Sequence, residues 1–233
     1  MSDIKAQAEL PQTPHAIYLK DYQAPAYWVD TVDMTFELAS ELTRVHTTLS
    51  VRRNDQVVDS RMPLVLDGHA LKLVSAHVNG QALAATDYVV DEESLTITSV
   101  PAAFELQTVV EIAPAQNTAL EGLYASSRML CTQCEAEGFR RITYFPDRPD
   151  VMSRFRVKLI ADKTTYPVLL CNGNPVEQGE LADNKHYVVW EDPSRKPSYL
   201  FALVAGDLQC IEDEYKTMSG RKVELRLYTE AEN

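Results

Sequence analysis

Val32-Asp33-Met34-Thr35-Phe36-Glu37-Leu38 alternates apolar and polar residues, and Arg44-Val45-His46-Thr47-Thr48-Leu49-Ser50-Val51 repeats the alternation a few residues later. Successive side chains of a β-strand point to opposite faces, so a two-residue period is typical of a strand with one buried face. Both stretches are therefore predicted to be half-buried strands, with Val32, Met34 and Phe36 on the buried face of the first.

Turn signals divide the rest of the chain into short segments. Asn79-Gly80 predicts a hairpin turn, and Asp67-Gly68 and the cluster 172–175 predict further turns. Further strands are predicted at Leu71–Val78, Gln81–Leu83, Leu95–Ser99, Phe104–Ala113, Phe155–Ala161, Val168–Cys171, His186–Glu191, Leu200–Gly206 and Val223–Thr229. Many short strands with turns between them predict an all-β sandwich or curled sheet.

Helical structure is expected only as short turns, near Pro101–Phe104 and Glu137–Phe145. The proline-containing start, and above all residues 1–15, is predicted to be an extended arm that leads into the first strand. No segment shows the periodicity of an amphipathic helix of ten or more residues.

The charge balance excludes some classes of partner. The chain has 22 basic and 34 acidic residues, a formal net charge of −12. Binding a phosphate backbone requires a surplus of basic side chains, so neither nucleic acid nor an anionic membrane is an expected partner, whereas cationic small ligands are mildly favoured. The first residues have no apolar core and no run could span a bilayer, which predicts a cytoplasmic location.

Motifs for hydrolytic chemistry are missing from the sequence. A zincin needs His-Glu-x-x-His on a helix, but none of the five histidines precedes a glutamate and no two of them are four residues apart. The sequence also has no Gly-x-Ser-x-Gly nucleophile motif and no glycine-rich phosphate loop. No catalytic or metal-binding residue is therefore predicted in this chain.

Cys131-Thr132-Gln133-Cys134 has the Cys-x-x-Cys spacing, which allows two interpretations. A redox site would open a helix in a βαβ unit, and a zinc knuckle would need a second cysteine pair. The surroundings are rich in β-strands, and Cys171 and Cys210 stand alone. The pattern favours thiols with a structural role in a reducing compartment.

Gln133-Cys134-Glu135-Ala136-Glu137-Gly138-Phe139 gathers two carboxylates and an amide within five residues. In a strand, alternation would aim Gln133, Glu135 and Glu137 to one side, as a ligand site would require. The alternative is a solvated strand edge, which the chemistry alone favours because charged residues are mostly exposed.

The following segment, Phe139–Asp150, mixes aromatic residues with alternating charges. One interpretation is a patch that binds a partner protein. The other is a structured crossing loop, held by Arg–Asp pairs and fixed at its ends by prolines, and the composition favours this second interpretation.

Taken together, these stretches strongly resemble the M1 family of zinc metallopeptidases. The resemblance is carried by Gln133–Ile142 and Asp147-Arg148-Pro149-Asp150, and also by Tyr18–Tyr22, Asn172-Gly173-Asn174, Lys196–Asp207 and Ser219-Gly220-Arg221. It covers nearly the whole chain after the first residues, and runs of this length are far more specific than one short motif.

The resemblance implies a fold and a domain organisation. Residues 1–207 would form a saddle-shaped antiparallel β-sandwich, and residues 208–233 would be the first strands of a truncated thermolysin-like catalytic domain. The family's Gly-x-Met-Glu-Asn and His-Glu-x-x-His signatures lie further along in such proteins. The chain is thus expected to be the N-terminal part of a longer enzyme.

Two site residues follow from the resemblance. Glu135 matches the carboxylate that binds the free α-amino group of the substrate, and Gln133 matches a residue that lines the pocket for the first side chain. The full enzyme would be a zinc aminopeptidase acting on peptides with a free N-terminus, and this chain alone would bind no zinc and be inactive. A second hypothesis is a non-catalytic β-sandwich interaction module of an M1-like protein.

Overall fold

The computed structural model describes residues 18–57 and 62–231, and these residues form eighteen strands and four short 3₁₀ helices. The strands are β1 Tyr27–Glu37, β2 Thr43–Arg53, β3 Leu64–Asp67, β4 Lys72–Val78, β5 Gln81–Ala82, β6 Tyr88–Val90, β7 Ser94–Ile97, β8 Ala103–Ile112, β9 Gly122–Ser126, β10 Met129–Gln133, β11 Met152–Asp162, β12 Val168–Cys171, β13 Asn174–Glu180, β14 Lys185–Glu191, β15 Lys196–Pro197, β16 Leu203–Gly206, β17 Gln209–Lys216 and β18 Lys222–Thr229. The 3₁₀ helices are Leu19–Asp21, Pro114–Gln116, Phe139–Arg141 and Ser198–Leu200. The all-β class predicted from the sequence is confirmed.

The largest sheet has nine strands, in the order β13-β14-β11-β1-β2-β8-β4-β5, with β15 pairing with β11. Its pairs are antiparallel except β1 with β11, where Val32 lies beside Phe155 and Phe36 beside Leu159 in parallel register. This parallel pair departs from the predicted antiparallel arrangement. Between β1 and β11 the chain forms β2, β4, β5 and β8 of the large sheet, the three-stranded sheet and strands β9 and β10, and it then enters the large sheet again in the same direction as β1.

Smaller sheets complete the architecture of the described residues. Strands β12-β16-β10-β9 form a four-stranded sheet and β3-β7-β6 a three-stranded sheet, while β17 and β18 pair only with each other. Buried side chains from the nine-, four- and three-stranded sheets belong to one hydrophobic cluster. The four-stranded sheet, which carries β10, is therefore anchored to the inner face of the large sheet.

The alternation in the first two strands is confirmed. Val32, Met34 and Phe36 on β1 are at most 1% exposed. On β2 the buried face includes Thr47, whose hydroxyl lies 2.8 Å from that of Thr143. A buried hydroxyl needs such a partner, because desolvation without one costs about 1–3 kcal/mol.

Aromatic rings fill the centre of this core. Phe139 is fully buried, and its ring centroid lies 5.2 Å from those of Phe145 and Phe201 and 5.9 Å from that of Phe155. The last of these is on β11 of the large sheet. The 3₁₀ helix Phe139–Arg141 is thus fixed in the core through its first residue.

Two local predictions have different outcomes. The hairpin at Asn79-Gly80 is confirmed: it joins β4 to β5, and both residues have positive φ, 50° and 76°, as a type I′ turn requires. The helical turn predicted at Pro101–Phe104 is wrong. Ala103 begins β8, because Phe104 and the buried side chains after it continue the strand alternation and pair with β2.

Other expectations are settled in part. The short helical turn within Glu137–Phe145 is confirmed as the 3₁₀ helix Phe139–Arg141, whereas the arm predicted at residues 1–15 lies outside the described residues. Several strands had not been predicted: β3, β6, β9, β10, β13 and β15. Most are short or largely exposed, so their periodicity is weak.

No helix among residues 18–57 and 62–231 is long and apolar enough to cross a membrane.

Candidate functional site

The two predicted site residues lie where β10 leaves the four-stranded sheet. β10 ends at Gln133, residues 135–138 form a turn, and the 3₁₀ helix Phe139–Arg141 follows. Gln133 and Glu135 are exposed, whereas Cys134 is buried. The peptide bond between Glu135 and Ala136 is cis. The site is therefore an exposed turn between two buried anchors.

The expectation that alternation aims Gln133, Glu135 and Glu137 to one side is wrong. Strand geometry stops at Gln133, so the two-residue period does not extend into the turn. The structure nevertheless brings the two site residues together, because the side-chain amide Nε2 of Gln133 donates a hydrogen bond to the main-chain oxygen of Glu135 at 3.0 Å. The solvated strand edge that the chemistry favoured is thus replaced by a turn.

Two glycines allow the turn to be this compact. The Gly138 N–H donates to the Cys134 carbonyl at 2.8 Å. A Cβ atom at Gly138 would lie 2.3 Å from the Gln133 carbonyl oxygen and 3.0 Å from the Gly122 nitrogen. Gly122 has a φ of +71°, which favours glycine, and a Cβ there would lie 2.7 Å from Arg141 Cβ. The backbone at Gly138, three residues after Glu135, is therefore tightly packed.

Downstream of the turn, Arg140 binds Asp147 through three hydrogen bonds. Its main-chain N–H and its Nε donate to Asp147 Oδ2 at 3.0 and 3.2 Å, and its Nη2 donates to the Asp147 carbonyl at 3.1 Å. The Asp147 side chain is 1% exposed. Its Oδ1 accepts from the Ser198 hydroxyl at 2.6 Å, and its N–H donates to Asp67 Oδ2 at 2.8 Å.

A second Arg–Asp pair holds the end of the same segment. Arg148 donates to both carboxylate oxygens of Asp150 at 2.7 Å, and also to the Gln23 carbonyl. Burial alone would raise the pKa of Asp150, but the bonds from Arg148 and Tyr22 outweigh it and hold that pKa below its usual range. Both pairs agree with the predicted crossing loop held by Arg–Asp pairs.

The three acidic residues around the turn differ in their partners. Glu137 pairs with Arg140 at 3.4 Å, and Asp147 is fully engaged. The Glu135 carboxylate has no hydrogen-bond or ion-pair partner within the described part of the chain. An exposed carboxylate on a fixed turn can accept hydrogen bonds from a cationic ligand.

The surroundings of Arg140 favour its charged form. Burial lowers the pKa of Arg140, but the carboxylates of Asp67, Glu137 and Asp147 outweigh this effect and raise the pKa above its ordinary value. The guanidinium therefore stays protonated and compensates the buried Asp147.

A metal site is not formed by these residues. Across residues 18–57 and 62–231, no group of three or more His, Cys, Asp or Glu side chains could hold a metal ion. The side chains of the described residues thus do not form a site for the zinc of the M1 family.

The Cys-x-x-Cys pair agrees with structural thiols. Cys131 lies within β10 and Cys134 just beyond it, not at the start of a helix. Burial, reinforced by the charge of Asp147, raises the pKa of the Cys134 thiol far above its ordinary value. Burial likewise raises the pKa of Cys171 to about 12. A thiol in such surroundings stays protonated and unreactive.

This leads to a labelling prediction. At about pH 8, a thiol reagent is expected to modify exposed Cys210 rapidly, whereas Cys134 should react only after the chain is unfolded with urea, because the thiolate is the reactive form. Peptide mapping by mass spectrometry measures both sites in one sample. Rapid native labelling of Cys134, or a disulfide between it and Cys131, would contradict the structural role.

Three residues of the site were not identified from the sequence: Asp67, Gly122 and Ser198. Asp67 had been assigned only to a turn, although it ends β3 and accepts a bond from Asp147. No sequence pattern links these positions, because they lie far from residues 133–140 along the chain.

Solved structures with the same fold define the class of protein. The chain superposes on the crystal structure of Legionella pneumophila aminopeptidase A with a TM-score of 0.87 and 37% identity, covering 92% of this chain and 25% of that chain. The M1 zinc metallopeptidase of Deinococcus radiodurans shares the fold at 18% identity and a TM-score of 0.71, covering 89% of this chain and 48% of that one. The arrangement of sheets is that of a β-domain found in metallopeptidases.

Residues 28–200 match the family described as the Peptidase M1 N-terminal domain, and the chain belongs to this family. It is 53% identical over 218 residues to Aminopeptidase N of Caulobacter vibrioides and 50% identical over 224 residues to Aminopeptidase N of Escherichia coli. These alignments cover 94% and 96% of this chain, but only 25% of each relative. The chain therefore spans about a quarter of the length of these relatives, and the resemblance seen in the sequence is confirmed.

Proposed function

We propose that this domain is part of a zinc aminopeptidase that removes single residues from the N-terminus of peptides, and that it carries part of the substrate-recognition site. The observation that carries the proposal is the Glu135 carboxylate. It is exposed on a turn with little freedom to move, and it has no cationic partner within the described residues. The relatives named Aminopeptidase N support the reaction class.

The chemistry of an N-terminal substrate matches this carboxylate. An ammonium group that loses water on binding needs anionic acceptors, and Glu135 can provide them. Holding the amine at a fixed point also determines which peptide bond reaches the reacting groups, so one residue is removed at a time. The Legionella relative was crystallised with aspartic acid, a free amino acid, which is consistent with a subsite for an α-amino group.

Gln133 has a different role in this proposal. Its side chain is exposed next to Glu135, with its amide nitrogen held by the Glu135 carbonyl at 3.0 Å. That bond orients the side chain. The resemblance to the M1 family implies that Gln133 lines the pocket for the first side chain, and we propose that role for it.

In the full enzyme, the zinc would be coordinated by residues of the catalytic domain. When bound, it would supply the activated water for peptide hydrolysis. None of the side chains described here would hold it. We therefore propose that this chain alone binds no zinc and hydrolyses no peptide.

The domain boundary proposed at Asp207 is supported by the hairpin that follows. Strands β17 and β18 form a separate two-stranded sheet, and every residue of β17 is exposed. Ile211 and Leu227 pair across the hairpin and are 62% and 69% exposed. Together with Tyr215 and Leu225 they form a group of exposed apolar side chains on the hairpin, and exposed apolar patches can mark contact surfaces. We propose that residues 208–233 begin the catalytic domain, which would be the main protein partner of this domain.

The test replaces Glu135 by glutamine in the full-length enzyme. Loss of one charged partner of a desolvated ion pair costs about 3 kcal/mol, so kcat/KM for an alanyl chromogenic substrate should fall by roughly 100-fold. Zinc content should not change. Glu137→Gln is the matched control, because its carboxylate lies on the same turn but is already paired with Arg140. It should change kcat/KM by no more than about threefold.

Two outcomes would contradict the proposal. An unchanged kcat/KM for Glu135→Gln would remove Glu135 from the site. A full-length protein that binds peptide amines but hydrolyses none of them would favour the non-catalytic interaction module instead.

A further inference from the structure

The position of the Glu135 side chain depends on the backbone around it. The carboxylate has no partner of its own in the described part of the chain, so nothing holds it directly. On the upstream side, the backbone is fixed by β10 and by the Gln133 amide. On the downstream side, it must be fixed by whatever holds the 3₁₀ helix Phe139–Arg141.

Arg140 holds that helix at its polar side, while the buried ring of Phe139 anchors it in the core. Its main-chain N–H and its guanidinium all bind Asp147, and its carbonyl accepts from the His69 N–H at 2.9 Å. The backbone at Arg140 is therefore fixed on both sides of the residue. Between Arg140 and Glu135, the turn is closed by a hydrogen bond from the Gly138 N–H to the Cys134 carbonyl, which restricts the backbone.

Asp147 is itself fixed in place. Its side chain is buried, one oxygen accepts from the Ser198 hydroxyl, and its N–H donates to Asp67. Arg140 supplies the only positive charge that contacts this carboxylate within the described residues. A buried carboxylate without its cation is strongly unfavourable, so the pair is expected to behave as a unit.

We propose that Arg140 and Asp147 are positioning residues that set where the Glu135 carboxylate meets the substrate amine. The inference rests on the function proposed for Glu135. Neither residue touches the substrate in this scheme. The guanidinium fork matters because it binds a carboxylate and a carbonyl at once, which a lysine ammonium cannot reproduce in the same geometry.

A double-mutant cycle in the full-length enzyme tests this role. Arg140→Lys should lower kcat/KM for an alanyl chromogenic substrate by about tenfold, since small displacements of a binding group cost one to two orders of magnitude. In the Glu135→Ala background, the same change should alter kcat/KM by less than about twofold, because the group being positioned is gone. Ser198→Ala, which removes only the outer hydrogen bond of Asp147, should give a smaller loss of about threefold.

Arg148→Lys is the matched control. Like Arg140, Arg148 binds a carboxylate and a main-chain carbonyl, but its partners are Asp150 and Gln23, away from the turn, and it has no second carboxylate comparable to the Glu137 that pairs with Arg140. It should lower the melting temperature about as much as Arg140→Lys and leave kcat/KM within about twofold of the parent enzyme.

The outcomes separate the two proposals. If Glu135→Ala is harmless, the function proposed for Glu135 fails. If Glu135→Ala lowers kcat/KM and Arg140→Lys lowers kcat/KM by the same factor in the parent enzyme and in the Glu135→Ala background, the positioning role is overturned while the function of Glu135 stands. Equal losses of kcat/KM for Arg140→Lys and Arg148→Lys would also overturn it, because they would indicate a general effect on folding.

Discussion

Adding one methyl group at Gly138 is expected to destabilise the domain by about 3 kcal/mol, well above the roughly 1 kcal/mol of an average substitution. The φ of Gly138 is −81°, which alanine adopts readily, so the cost comes entirely from contact. The added Cβ would lie 2.3 Å from the Gln133 carbonyl oxygen and 2.9 Å from Cys134 Cα. Both are backbone atoms, and no change of rotamer can relieve the overlap.

Urea unfolding of Gly138→Ala measures this effect. Gly80→Ala is the control, because Gly80 has a φ of +76° and no atom within 4 Å of the added Cβ. It should lose only about 1 kcal/mol, the cost of a left-handed conformation. Equal losses for the two variants would show that the turn yields easily. That result would also weaken the argument that the turn holds Glu135 rigidly.

The sequence was sufficient for the fold class because the decisive pattern is local. Val32 to Leu38 alternates throughout and Val45 to Val51 does so except at the buried Thr47, and each strand is long enough to show the period. Strand pairing depends instead on which distant segments meet. The parallel pairing of β1 with β11 therefore could not be read from either strand alone.

Only part of the candidate site could be identified from the sequence, for the same reason. Gln133 and Glu135 are two residues apart, and a resemblance over the surrounding stretch was enough to select them. From chemistry alone a solvated strand edge was favoured. The contacts that hold the turn come from Asp67 and Ser198, which are remote in sequence and carry no motif. A network of this kind becomes visible only when the core brings its members together.

The second large effect concerns Phe139, which connects the turn to the core. Phe139→Ala is expected to cost about 4 kcal/mol in the free energy of unfolding, through lost burial and the cavity left behind. The ring is fully buried between Phe145, Phe155 and Phe201, with edge-to-face contacts at 5.2–5.9 Å. These neighbours lie on different segments, so they cannot close the cavity by moving together.

Phe139→Leu separates volume from aromatic geometry, because leucine refills much of the space, and it should cost only about 1.5 kcal/mol. Tyr215→Ala serves as the control. This tyrosine is 56% exposed on the hairpin, and its loss should stay within about 0.5 kcal/mol. Urea unfolding with an unchanged m-value gives all three numbers on one scale. If Phe139→Ala were no worse than Tyr215→Ala, the residue next to the Glu135 turn would be loosely packed. The turn would then be held by Arg140 and the glycines alone.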